Sequence, residues 1–343
     1  MKAAIVGVTG YTGIELLRII LGHPQLSIGT LHSSSVHKDT ISGEYPHLRQ
    51  LIALPIQAFD PEVIMAENDL VFFATPAGVA KELGQAFAER GFPMIDLSGD
   101  LRLKDPAVYE AWYQKAAAPQ AMLAQATYGL PEFMTEKATD LISNPGCYAT
   151  AALLTVAPLV IKKLIDPATL ILDGKSGLSG AGKNLNESSH FVNVDENMTM
   201  YKLNRHQHIP EILQQLQLWD PGITDIQFTT SLIPVKRGIF MTGYAKAAPG
   251  VTEADLLAAY EEIYAQQPFV RIQPQGTLPQ LRQVIGTNFC DIGLGLNEGT
   301  GIVTLVGVID NLMKGASGQA IQNYNRWAGI DETAGLWSLP IYP

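Results

Sequence analysis

Short apolar runs alternate with helically spaced apolar positions through the first 150 residues, and that alternation predicts a parallel sheet with helices on both faces. Residues 3–6 (AAIV) form a short buried strand, and residues 14–21 carry helical spacing that Gly22-His23-Pro24 stops. Residues 26–31, 69–74 (DLVFFA), 93–97 (PMIDL) and the run that starts at Leu141 supply further strands. Thr75-Pro76 leads into a helix expected through about Arg90. After residue 150 the rhythm changes. Strands are expected at 170–173, 226–233, 239–245 and 302–309, with helices at 252–266 and 312–327, separated by longer glycine-rich and polar loops. These elements predict two domains, 1–150 completed by 311–343, and 151–310.

Composition narrows the class. The 343 residues are 47% hydrophobic and 16% charged, enough apolar surface for large buried cores. A net charge of -10 argues against nucleic acid or an anionic membrane as the main partner, so an anionic substrate would need local Arg and Lys. Two cysteines, Cys147 and Cys290, are too few for a disulfide framework and fit a reducing compartment. The most apolar run, 149–161, contains Pro158 and meets Lys162-Lys163, too short to span a bilayer. A glycine pattern begins at Gly7, before a secretory apolar segment could develop. The expectation is a soluble, cytoplasmic protein.

Gly7, Gly10 and Gly13 follow the first strand and open the first helix as G-x-x-G-x-x-G. A dinucleotide needs such a tight turn, where backbone approaches phosphate and a helix N-terminus holds it. Thr9 and Thr12, on either side of Tyr11, add hydroxyl donors. The competing reading is an ordinary strand-to-helix turn. At the end of the second strand stand Ser33, Ser35 and Lys38 with no early carboxylate, which suits a 2′-phosphate and hence NADP(H). A polar surface loop is the alternative there. The fold class expected is α/β, a Rossmann-type dinucleotide-binding domain plus a mixed α+β domain.

Ser143-Asn144-Pro145-Gly146-Cys147 precedes a strong helical run. Pro and Gly force a sharp turn that leaves Cys147 at or near a helix N-terminus, where amide groups and the helix dipole stabilise a thiolate. Cys147 is therefore read as a nucleophile; Cys290 lacks such a turn and is read as core. A thiolate that forms acyl intermediates needs a proton partner, normally histidine. His206 and His208, beside Arg205, are the candidates, and spacing alone does not choose between them. A His-x-His pair can ligate metal, but no third ligand is suggested nearby, so no metal is expected.

These stretches together resemble the N-acetyl-gamma-glutamyl-phosphate reductases. The resemblance rests on GVTGYTG at 7–13, ATPAGVA at 74–80, DLSGDLRL at 96–103, YGLPE at 128–132 and NPGCYAT at 144–150. It continues through DGKSGLSGAGK at 173–183, HQHIPEI at 206–212, PVKRGI at 234–239 and DNLMKGASGQAIQNYN at 310–325. It implies NADPH-dependent reduction of an acyl phosphate to an aldehyde in arginine biosynthesis, with phosphate released and the acyl group carried as a thioester. Carried over residue by residue, Cys147 is the nucleophile and His208 the general acid/base. Arg102, Asn144 and Arg237 would contact substrate. Ser176 and Gly177 would lie near the nicotinamide, as would Gly180-Ala181-Gly182, and Asn311 would help close the cofactor site. The family's usual Arg in the serine loop aligns with Ser34, a departure from the pattern. A homo-oligomer, tetramer or dimer, is implied by analogy. The rival readings are an aspartate-semialdehyde dehydrogenase, a short-chain-type reductase or epimerase, and a non-catalytic NADP-binding sensor. The second lacks support because no tyrosine here has a lysine four residues later.

Overall fold

A computed structural model describes residues 1–33 and 38–342. Among these residues the chain forms two seven-stranded sheets, one in each of two compact units. The first unit comprises Met1–Pro145 and Ala316–Trp337, the second Gly146–Gly315 and Ser338–Pro343. The borders expected from sequence therefore shift. The return to the first unit starts at Ala316, and the final segment from Ser338 belongs to the second. Ser338 Oγ donates to the Gly286 carbonyl and the Ile341 amide to Ile285, which ties that tail down.

In the first unit the strands are β1 (Lys2–Val6), β2 (Ser27–His32), β3 (Ile56–Gln57), β4 (Leu70–Phe73), β5 (Met94–Asp96), β6 (Thr127–Tyr128) and β7 (Leu141–Ser143). Their order is β3-β2-β1-β4-β5-β7-β6, with all pairs parallel. β1 and β4 are buried at nearly every position, as strands covered on both faces must be. Strand order reverses on either side of β1, so the carboxyl end of β1 is a topological switch point. The helix expected through Arg90 begins only at Ala80 and breaks at Gly84 into Ala80–Leu83 and Gln85–Glu89. Met94 packs so closely on Gly84 that a Cβ there would lie 2.8 Å from its sulfur.

In the second unit the strands are β8 (Ile165–Ser176), β9 (Thr199–Met200), β10 (Gln227–Leu232), β11 (Ile239–Ala247), β12 (Val270–Ile272), β13 (Cys290–Asn297) and β14 (Ile302–Ile309). The sheet is mixed, in the order β12-β13-β14-β11-β8-β10-β9. Its core is the helix Cys147–Ile161, buried from Tyr148 through Val160. A helix apolar all round has no solvent face, and this one packs on β8, β11 and β14 and on the helices His208–Trp219 and Glu253–Tyr264. Pro158 cannot donate to the Leu154 carbonyl, and the Tyr264 hydroxyl donates to it instead at 2.6 Å. The helix expected at 312–327 is in fact a π-turn, Met313–Ser317, followed by the helix Gly318–Trp327.

Candidate active site

Each unit carries part of the predicted chemistry. In the first, β1 runs into Gly7, whose φ is +89° and whose amide donates to the His32 carbonyl at 2.8 Å. A Cβ on Gly7 would lie 2.4 Å from the Ala74 carbonyl oxygen, and one on Gly13 would lie 2.3 Å from the Gly7 oxygen. Both positions exclude a side chain, which lets the loop fold tightly over the switch point. Gly10 caps the helix Tyr11–Leu21 with no side-chain hydrogen bond, which leaves the first amides without a side-chain cap, as a helix start that receives a phosphate requires. Thr9 Oγ1 and Ser33 Oγ lie 2.8 Å apart, Tyr45 donates to the Thr9 carbonyl, and Ser317 donates to that of Thr12. Tyr11 and Lys38 are exposed. Ser35 lies outside the described residues. This glycine cradle and uncapped helix start fit a dinucleotide.

Also in the first unit, Arg102 is buried and directs Nε to the Asn144 carbonyl at 2.9 Å and Nη2 to that of Leu97 at 3.0 Å. Asn144 is fully buried; its Nδ2 donates to the Ala316 carbonyl and its Oδ1 accepts from Asn323. Both side chains therefore brace the start of the turn that leads to Cys147. Asp100 is equally buried and holds the Gly78 amide, the Lys81 amide and the Tyr109 hydroxyl.

In the second unit, Cys147 is the first residue of its helix, half-buried and in no disulfide. Gly146 before it donates its amide to Glu211 Oε1 at 2.7 Å. The imidazole of His208 lies over this glycine, for a Cβ on Gly146 would be 2.3 Å from His208 Nε2. Glu211 is fully buried, and its other oxygen, Oε2, is 4.0 Å from the same Nε2. One carboxylate thus spans the turn before Cys147 and the histidine. Glu211 escaped the sequence reading; its only signal is the i, i+3 spacing from His208 on a helix whose Ile212 and Leu216 face inward.

His206 does different work. Its Nδ1 accepts the His208 amide at 3.2 Å, starting the helix that carries His208. The ring is boxed by Tyr148, Tyr201 and Phe228. Burial, assisted by the Lys202 ammonium, pushes its pKa down to about 3. Between about 3 and 6.5 the unfolded chain binds a proton that the folded one refuses, so this contribution to stability is present above pH 6.5 and lost as pH falls toward 3. Asp96, fully buried on β5, works in the opposite sense, because burial and then Asp100 raise its pKa to about 6. The effect of His206 is therefore read as a difference. Unfolding free energies of the wild type and His206→Asn, measured from pH 7 to 5, should converge by up to about 1.4 kcal/mol per pH unit. A pH-independent difference would mean that the ring titrates normally.

A second cluster in this unit joins Ser176, Gly177, Asn311 and Arg237. Gly177 donates to the Gly238 carbonyl, and Asn311 Oδ1 accepts the Gly238 amide at 2.7 Å while its Nδ2 donates to Ser179. A Cβ on Gly180 would lie 2.6 Å from Ser176 Oγ, so this loop also depends on glycine for its close approach. Gly315, in the π-turn, packs its Cα against Cys147; a Cβ there would be 2.8 Å from the cysteine's own. Among the described residues no group of three His, Cys, Asp or Glu side chains could hold a metal ion.

A dinucleotide cradle on a parallel sheet, together with a helix-start cysteine on a mixed sheet, defines an oxidoreductase of the semialdehyde dehydrogenase class. The semialdehyde dehydrogenase NAD-binding domain matches residues 2–141 and the dimerisation domain of that family residues 147–311. Within the class, the chain belongs to the N-acetyl-gamma-glutamyl-phosphate reductases, enzymes of arginine biosynthesis. It is 52% identical to the reductase of Listeria monocytogenes (strain HCC23) over 343 residues, 100% of both chains. It is 52% identical to that of Streptococcus gordonii over 342 residues, again 100% of both. Aspartate semialdehyde dehydrogenase II of Vibrio cholerae, complexed with ASA, shares the fold at a TM-score of 0.70 and 16% identity, covering 96% of this chain and 98% of that one. The Candida albicans aspartate semialdehyde dehydrogenase with NADP does so at 0.65 and 15%, covering 95% and 98%. The aspartate-semialdehyde and sensor readings thus give way to the reductase, for which NADP(H) is the cofactor.

Proposed function

We propose that this chain reduces N-acetyl-glutamyl 5-phosphate to N-acetyl-glutamate 5-semialdehyde, releasing inorganic phosphate, by way of a thioester on Cys147. The observation that carries the mechanism is a cysteine opening a buried helix with His208 laid over the glycine before it. The helix start favours the thiolate, which adds to the acyl-phosphate carbonyl; the C–O bond to phosphate then breaks and the acyl group stays on sulfur. Bound NADPH supplies the hydride that reduces this thioester. Glu211 already holds the Gly146 amide, so the amides following it at the helix start are the candidates to face the oxyanion. His208 keeps the proton exchanged with the thiol and with the reacting oxygen, and collapse of the hemithioacetal returns the thiolate. Arg237 serves as a substrate-anion contact, while Arg102 and Asn144 act by fixing the turn from behind.

Gly7, Thr9, Gly10, Tyr11, Thr12 and Gly13 would hold the pyrophosphate end of NADP(H), Ser33 and Lys38 the 2′-phosphate end, and Ser176, Gly177 and Asn311 the nicotinamide end. Ile171 on β8 and its cross-strand partner Tyr244 on β11 are large and exposed. That surface supports association of two copies, consistent with the dimerisation domain that this unit matches. Among the described residues no helix is long and apolar enough to cross a membrane. Two cysteines outside any disulfide support the cytoplasm as the compartment.

The test runs the reaction in reverse. NADP reduction by N-acetyl-glutamate semialdehyde should require phosphate or arsenate, because the thioester is released by an oxyanion rather than by water. Aspartate semialdehyde should be a poor substrate. One missing methylene is worth about 1–3 kcal/mol, and its ammonium would meet a site shaped for an amide at a further desolvation cost. Comparable rates on both aldehydes would sink the substrate assignment; phosphate-independent oxidation would sink acyl-phosphate chemistry.

A further inference from the structure

Arg237 stands on the loop between β10 and β11, where a half-buried guanidinium has many rotamers unless something holds it. What holds it is Asp310, the fully buried residue that follows β14. Asp310 Oδ2 is 3.0 Å from Arg237 Nε, and Oδ1 accepts from Nη2 at 3.1 Å, a fork-to-fork pair. The same carboxylate accepts the amides of Gly286 at 2.7 Å, Leu312 at 2.8 Å and Met313 at 3.2 Å. The last two begin the turn that becomes the π-helix, and the Asp310 carbonyl accepts the Gly315 amide at 3.0 Å. Gly315 is the residue packed against Cys147. Next in sequence, Asn311 fixes the Gly238 amide and so holds the backbone on the other side of Arg237.

We infer that Asp310 is a positioning residue for the reaction, presetting the Arg237 guanidinium and bracing the turn that lies against Cys147. The inference rests on reading Arg237 as the substrate-anion contact. A guanidinium held by Asp310 in one rotamer has little conformational entropy left to lose when an anion binds.

The experiment measures the KM for inorganic phosphate in the reverse reaction, with kcat and melting temperature, for Arg237→Ala, Asp310→Asn and the double variant. Arg237→Ala should raise this KM about tenfold or more, the effect of losing one charged hydrogen bond. Asp310→Asn should reproduce most of that rise while staying folded, and should add nothing further to it in the Arg237→Ala background. Should Asp310→Asn fail to fold, Arg237→Lys decides. It keeps the charge but not the two-point grip, so its phosphate KM should approach that of Arg237→Ala. An unchanged KM in Arg237→Ala would overturn the anion-contact reading and the inference with it. A raised KM there, combined with a neutral or additive Asp310→Asn, or with a near wild-type Arg237→Lys, would overturn the positioning role alone.

Discussion

Serine in place of Cys147 should reduce turnover by on the order of 10⁴-fold or more, while NADPH still binds. The helix start at Gly146-Cys147 lowers the cost of a negative charge on sulfur, but a serine hydroxyl is far too weak an acid for the same field to ionise it. Nor would an oxygen ester take a hydride as readily as a thioester. The glycine turn from Gly7 through Gly13, the proposed dinucleotide cradle, is built in the other compact unit and does not depend on the substituted atom. Fluorescence titration with NADPH should therefore return a near wild-type Kd, and the half-buried, nearly isosteric change should leave the melting temperature close to that of the parent. Turnover surviving at more than about a hundredth of the parent rate would show that the reaction does not require a thioester at residue 147.

Legibility in the sequence followed the physics of each element. β4 and most of β1 and β14 are apolar runs because they are buried along most of their length, and such runs announce themselves. β13 did not, because Gly293 and Gly295 interrupt its pattern; a Cβ on Gly293 would lie 2.8 Å from the Thr277 carbonyl, so the glycine serves a close backbone approach. The helix His208–Trp219 hid behind its polar glutamines, although Ile209, Ile212 and Leu216 keep helical spacing. Cys147 was readable because Asn-Pro-Gly dictates a turn whatever surrounds it. Glu211 and Asp310 were not, since nothing local separates a buried carboxylate from a solvated one; that difference arises only when the second unit closes around them. The bonds from two nitrogens of Arg102 to the carbonyls of Leu97 and Asn144 were likewise not legible, because they depend on strands that meet only in the fold.

Alanine at position 208 should lower kcat by about 10²–10⁴-fold, the usual size of a general acid–base contribution, whereas His206→Ala should mainly lower the melting temperature. The two rings are centred 4.7 Å apart, so proximity to the chemistry does not separate them; their hydrogen bonds do. His206 accepts a backbone amide through Nδ1 and its pKa is pushed down to about 3, so it stays neutral and carries no proton to the reaction. His208 presents Nε2 to the Gly146 turn before Cys147, with Glu211 Oε2 4.0 Å away. Added imidazole distinguishes a proton-transfer role from packing. It should restore part of the rate of His208→Ala, by entering the space the side chain leaves, and none of the rate of Cys147→Ser. Glu211→Gln should sit between, because glutamine can still accept the Gly146 amide but no longer offers a charge to His208. A larger kcat loss from His206→Ala than from His208→Ala, or a His208→Ala enzyme indifferent to imidazole, would move the acid–base role off His208 and onto its neighbour or onto solvent.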